Sequence, residues 1–195
     1  MDAMTLDEIA IKHQTDKASQ FTRTYALPHD YCRHLERFFE PMRYKAIKLL
    51  EIGIGGGESA RTWLEYFPKA LVHGVDLVHD TNPFNTPRSK DIPRYVFNQG
   101  DQTSEVFWKC FVADYGSQWD IIIDDGSHIS GDIIKTFGYL WPHVIPGGIY
   151  EIEDLNVAPE ARAWLLEFVV GINAGTSDVD SIYFSKELAV IRKKG

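Results

Sequence analysis

The sequence predicts an α/β domain with a mainly parallel sheet, and three observations carry that prediction. Apolar runs alternate with amphipathic ones along most of the chain. The run at 119–125, WDIIIDD, is apolar on both faces, as a central parallel strand must be. The apolar runs also end repeatedly in glycine or acidic residues, the usual place for a ligand site in an open parallel sheet.

The elements follow in order. AIKLLEIGI at 46–54 is a strand that ends in glycines, and ESARTWLEYF at 58–67 is a helix stopped by Pro68. ALVHGVDLV at 70–78 is a second strand, with Asp76 at its end. The segment 79–94 holds Pro83, Pro87 and Pro93 and reads as a loop. A third strand at 95–101 leads into a helix at 104–116, and the fourth strand at 119–125 leads into a mostly helical 129–144. Pro146, Gly147 and Gly148 are expected to turn the chain into a fifth strand at 148–154. A helix at 159–172 opens on Pro159, which suits a first turn. Residues 180–194 read as two strands around a tight turn, an antiparallel pair at one edge. The first ~45 residues are mixed helix and loop preceding the core, so 1–195 reads as one domain: a 1–45 cap segment and a 46–195 core.

Composition excludes several classes. A net charge of −8 argues against nucleic acid, which selects a basic face. The basic triplet Arg192-Lys193-Lys194 reads as a solvated end. No apolar run approaches the roughly 18–20 residues that span a bilayer. The start MDAMTLDEIA is too acidic for a leader, and Cys32 and Cys110 suggest neither a disulfide framework nor a zinc site. The expectation is a cytoplasmic protein with a small-molecule partner, with homo-oligomerisation left open.

Seven acids fall at strand ends: Glu51, Asp76, Asp101, Asp124, Asp125, Glu153 and Asp154. The stretch Glu51-Ile-Gly53-Ile-Gly55-Gly56-Gly57 lies between a strand and a helix, where glycine permits positive φ and close ligand approach. It is not a dinucleotide fingerprint, because Glu58 occupies the third glycine position and opposes a pyrophosphate at the helix start. It lacks the Gly-Lys-Ser/Thr of a P-loop. It is similar to the E/D-x-G-x-G-x-G loop with which class I methyltransferases hold S-adenosylmethionine. In that setting Asp76 is placed for the ribose hydroxyls and Asp101 for the adenine amino group.

Asp125, Glu153 and Asp154 end what read as neighbouring strands. Three converging carboxylates repel unless a cation sits among them, and an all-oxygen set suits Mg²⁺ or another hard divalent ion. His128, three residues after Asp125, can accept a proton near neutral pH.

LLEIGIGGGES, DIIIDDGSH and WPHVIPGGIYEIEDL resemble the metal-dependent sugar O-methyltransferases of macrolide biosynthesis, the mycinamicin and macrocin type. IKHQTDKAS resembles the segment preceding the fold in the same wider group, which includes cephalosporin hydroxylase-like proteins. The resemblance spans roughly residues 6–155. It implies a Rossmann-like class I methyltransferase fold, with Mg²⁺ at Asp125, Glu153 and Asp154 and His128 as general base. It also implies Gly53, Gly55 and Asp76 around the cofactor, with Thr15, Asp16 and Lys17 closing over it; Glu51, Asp101 and Asp124, at their strand ends, are further cofactor-binding candidates. The reaction expected is methylation of a hydroxyl on a small polar or sugar-like metabolite. A metal-dependent hydroxylase or hydrolase without S-adenosylmethionine, and a non-catalytic S-adenosylmethionine-binding subunit, are the alternatives. Phe21, Tyr25, Tyr31 and Phe84 are candidates for an acceptor pocket. His29, His34 and the Leu35-Phe38-Phe39 stripe read as packing.

Overall fold

The computed structural model describes residues 3–21, 27–78 and 93–195. The sheet has seven strands: β1 Lys48–Ile52, β2 Leu71–Asp76, β3 Tyr95–Gln99, β4 Trp119–Asp124, β5 Val144–Ile152, β6 Val179–Ser185 and β7 Leu188–Lys193. Their spatial order is β3-β2-β1-β4-β5-β7-β6. β1 to β5 run parallel, and β7 and then β6 add antiparallel, as the two runs around a tight turn at 180–194 require. The strand order reverses between β1 and β4, so the crevice that an open α/β sheet offers a ligand opens above their carboxyl ends.

Among the described residues six α-helices cover the two faces: α1 Leu6–His13, α2 Tyr31–Phe39, α3 Glu58–Tyr66, α4 Glu105–Tyr115, α5 Ser130–Leu140 and α6 Pro159–Ala174. Alternation along the strands sorts the core into two layers. Leu50, Ile52, Val75, Ile122 and Tyr150 face Trp108, Phe137 and Leu165 of α4, α5 and α6. Leu49, Val72, Ile121, Ile123 and Ile149 face Leu6, Leu35, Phe39 and Trp63 of α1, α2 and α3. The N-terminal segment is therefore built into one face of the sheet. α1 starts at a capping box, in which Thr5 Oγ1 accepts from Glu8 N and Glu8 reaches back to Thr5 N. Leu6, Ile9 and Ala10 share its buried face.

One local expectation is corrected. Pro146, Gly147 and Gly148 do not separate a turn from a strand; they lie inside β5. The register against β4 jumps from Trp119↔Val144 to Ile121↔Ile149, so the extra residues bulge out of the ladder. Proline is tolerated there because its missing N–H serves no ladder bond, and Gly147 takes the positive φ of 76°. Helix α5 stops at Leu140, and Trp141–His143 forms a single 3₁₀ turn around Pro142. The 79–94 loop, with Phe84, and Tyr25 fall outside the described residues except for Pro93 and Arg94. Among the described residues no helix is long and apolar enough to cross a membrane.

Candidate active site

The glycine loop sits at the β1/β4 crevice. Gly53 has φ of 83°, and a Cβ placed on it would lie 1.9 Å from the Asp125 carbonyl oxygen, so the two strand ends touch where only glycine fits. Gly55 and Gly57 also have positive φ, of 47° and 80°, and α3 begins directly after them. Asp76, arriving from β2, closes the loop: its Oδ2 accepts from Ile54 N at 2.9 Å and Gly55 N at 3.0 Å, and its Oδ1 from Val78 N at 3.1 Å.

Two cavities adjoin at this neck, of about 430 and 400 Å³, and both are lined by Gly53, Asp76 and Gly126. The second holds Asp101, Gln102, Ser127 and Asp132. Asp101 Oδ1 is engaged by Thr103 N and Oγ1, both at 2.8 Å, and these bonds hold its carboxyl below the usual range. Gln102, which the sequence reading passed over, organises this floor. Its Oε1 accepts from Ser127 N at 2.6 Å, and its Nε2 donates to Asp124 Oδ1 and Thr136 Oγ1 at 3.3 Å. Asp124 lines neither cavity. It is 1% exposed, accepts from Tyr150 O–H at 3.2 Å, and burial pushes its pKa up to about 7. It sits beneath the site as a support rather than at a cavity wall.

The larger cavity collects Thr15, Lys17, Phe21, Asp125, His128 and Asp154 around the glycine loop. β4 and β5 are neighbours, with Asp124 opposite Ile152, so Asp125 and the 153–154 pair leave the sheet side by side. His128 Nε2 lies 3.9 Å from Asp125 Oδ1 and 3.6 Å from Asp154 Oδ2. One ligand atom from each of these three residues can be chosen so that all lie within 4.8 Å of one another. His128 and Asp154 each adopt φ of 55°, a left-handed conformation that costs backbone energy and is held by the surrounding structure.

Glu153 stands deeper. It is 2% exposed; its Oε2 lies 2.5 Å from Lys17 Nζ, and its Oε1 is buried without a partner. Lys17 Nζ is also 2.5 Å from Asp125 Oδ2. Burial works against the ammonium, but Asp125 and Glu153 outweigh it and hold its pKa well above the usual lysine range. Burial raises the Asp125 and Glu153 carboxyls, with Lys17 opposing the rise. Glu51, wholly buried on β1, is pushed up to about 7 by burial against the pull of Lys17, Ser59 and Trp63. Asp154 is steadied from its far side by Tyr31, whose O–H donates to Asp154 Oδ1 at 2.6 Å and lies 3.2 Å from Glu187 Oε2. His29 Nδ1 lies 2.9 Å from the same Glu187 oxygen. Tyr31 and His29 are therefore supports of an acid, beyond the lining and packing roles that their sequence context suggested. His34 bridges Tyr183 and Ser185, and Leu35 and Phe39 are core.

The donors fit a hard divalent cation: oxygens of Asp125 and Asp154 face the cavity, and Glu153 Oε1 is a buried acceptor with nothing to accept from. The glycine cradle beside them fits a ligand that approaches the backbone closely.

The fold is a mixed α/β methyltransferase fold, with a mostly parallel seven-stranded sheet closed by antiparallel C-terminal strands. The solved MycE methyltransferase in complex with Mg, S-adenosylhomocysteine (SAH) and mycinamycin VI superposes with a TM-score of 0.82 at 26% identity, over 98% of this chain and 54% of that one. The O-methyltransferase TomG of Streptomyces achromogenes, solved with S-adenosylmethionine, shares the fold with a TM-score of 0.62 at 13% identity, over 100% of this chain and 92% of that one. In sequence the chain resembles O-methyltransferases of the macrolide and sugar type. It is 37% identical over 145 residues to mycinamicin VI 2''-O-methyltransferase of Micromonospora griseorubida, covering 71% of this chain and 34% of that protein. It is 34% identical over 182 residues to demethylmacrocin O-methyltransferase of Streptomyces fradiae, covering 87% and 43%. The chain thus spans less than half the length of these relatives. No family model matches it.

Proposed function

We propose that the chain is an S-adenosylmethionine-dependent, Mg²⁺-dependent O-methyltransferase acting on a hydroxyl of a small polar or sugar-like metabolite. The observation that carries this is convergence: the glycine loop, Asp76, Asp125, His128 and Asp154 line one cavity. When bound, S-adenosylmethionine supplies an electrophilic methyl group, and the divalent cation lowers the pKa of the acceptor hydroxyl.

The chain's own residues then have separable tasks. Gly53 and Gly55 let the donor lie against the backbone, with Asp76 and Asp101 at the cavity walls for its polar groups. Glu51 supports the loop from below. Asp125, Glu153 and Asp154 are the residues that would hold the cation beside the acceptor hydroxyl. His128, with Nε2 facing Asp125 and Asp154, takes the hydroxyl proton as the oxygen attacks. Thr15, Lys17 and Phe21 wall the cavity from the N-terminal segment and exclude water. Methyl transfer is an in-line displacement, so orientation carries much of the rate.

Each candidate metal group among the described residues holds one histidine and two carboxylates, Asp125, His128 and Asp154 in one and His29, Asp154 and Glu187 in the other. Such a set suits a hard divalent cation better than the two-histidine, one-carboxylate set of an iron oxygenase does. Calorimetric titration with S-adenosylmethionine and SAH, with Mg²⁺ and with chelator, tests the proposal. Binding of both, together with a Mg²⁺ signal lost in Asp125→Asn, is expected. Binding of neither overturns it.

A further inference from the structure

The acids at this site divide into an inner and an outer set. Glu51 and Glu151 share one sheet row through Ile123, and Asp125 and Glu153 continue on the same face, towards α1, α2 and α3. Glu51, Glu151 and Glu153 are at most 2% exposed. Lys17 is the cation that reaches into this inner set, and its side chain is 3% exposed.

Its backbone is fastened on both sides. Lys17 O accepts from Cys32 N at 2.9 Å, Asp16 O from His29 N at 2.8 Å and Ala18 O from Asp30 N at 3.1 Å, which ties the segment to the start of α2. The ammonium then takes one oxygen from each of two acids, Asp125 Oδ2 and Glu153 Oε2. What remains is Asp125 Oδ1, on the His128 side, and Glu153 Oε1, buried and without a partner.

We propose that Lys17 is a positioning residue for the divalent cation: by pinning the inner oxygens of Asp125 and Glu153 it aims their other oxygens at the metal. The inference rests on the function proposed above, and it assigns Lys17 to the metal site where the sequence suggested a cover over the methyl donor. Like charges on Asp125, Glu153, Glu51 and Glu151 would otherwise drive these side chains apart or make them take up protons, and either outcome removes oxygens from the cation. On this proposal, the gain from holding the carboxylates ionised and in place outweighs the repulsion between the ammonium and the bound cation. The competing possibility is that the ammonium and the metal contend for the same oxygens.

The test uses the full chain and Mn²⁺ as the probe, read by electron paramagnetic resonance titration. Lys17→Met is expected to weaken Mn²⁺ binding by about tenfold or more, as loss of a support behind a ligand does. Affinity equal to or tighter than that of the unsubstituted chain, in a Lys17→Met protein with native circular dichroism, overturns the proposal; tighter binding would show competition. Lys17→Ala supplies the second measurement, because Lys17 lines the cavity and a small amine can enter there. Added propylammonium is expected to restore Mn²⁺ affinity in Lys17→Ala, and failure to restore it counts against the proposal. S-adenosylmethionine titration of the same samples separates the two readings. An unsubstituted chain that binds Mn²⁺ but no methyl donor refutes the function while leaving the Lys17 test intact.

Discussion

Glu51 provides a quantitative test of how the sheet tolerates its buried acids. The side chain is wholly buried, and burial raises its pKa from 4.5 to about 7. A carboxyl whose folded-state pKa is raised binds more protons folded than unfolded between those two values. Its contribution to stability is therefore complete below pH 4.5 and is lost as pH rises through about 7. The shift is worth ~1.4 kcal/mol per unit, so ionising Glu51 costs about 3 kcal/mol by pH 8 and about 1 kcal/mol at pH 5. Glu51→Gln keeps the shape and cannot ionise. Relative to the unsubstituted chain, the variant should gain about 2 kcal/mol between pH 5 and pH 8. Urea denaturation followed by tryptophan fluorescence, at pH 5, 6, 7 and 8 with chelator present, measures this. A stability difference constant across that range would mean that Glu51 does not titrate between the folded and unfolded chain, and the picture of an overcharged inner set would fail.

Three further predictions concern the cavity. Gly53→Ala should destabilise the chain by at least about 2 kcal/mol, because the new Cβ meets the Asp125 carbonyl at a positive φ; an unchanged denaturation midpoint would contradict that close approach. Tyr31→Phe removes the 2.6 Å bond to Asp154 and should weaken Mn²⁺ binding by about tenfold, read by the same titration. Unchanged affinity would place Asp154 outside the metal site. With a small polar or sugar-like acceptor in hand, His128→Ala should lower methyl transfer by at least about 10²-fold while calorimetry shows nearly unchanged donor affinity. Unchanged turnover would remove His128 from proton transfer.

The core of this fold was legible because parallel strands announce themselves. The 119–125 run is apolar on both faces and LLEI is apolar but for Glu51, and each ends where the chain must change direction, so the acids at their ends had to meet at one edge. The antiparallel pair at 180–194 was legible for the same local reason. What the sequence concealed depends on long-range packing or on backbone geometry. The bulge at Pro146–Gly148 is set by the β4 partner and by tolerance for a proline inside a ladder, and no pattern in GG or PG distinguishes it from a turn.

Lys17 is separated from Asp125 by 108 residues and from Glu153 by 136. Only the docking of α1 and α2 on the sheet brings it there, and an eight-residue helix followed by a short segment carries no periodic signal that points to a metal site. Electrostatics nevertheless contained a clue. Converging carboxylates require positive charge, and the strand ends supply acids without a neighbouring Lys or Arg. Lys17, in the short turn segment between α1 and α2, supplies that charge. On this proposal the need for a cation is met partly from within the chain by Lys17, and Asp125 Oδ1, Glu153 Oε1 and the Asp154 carboxylate are the oxygens left to a metal.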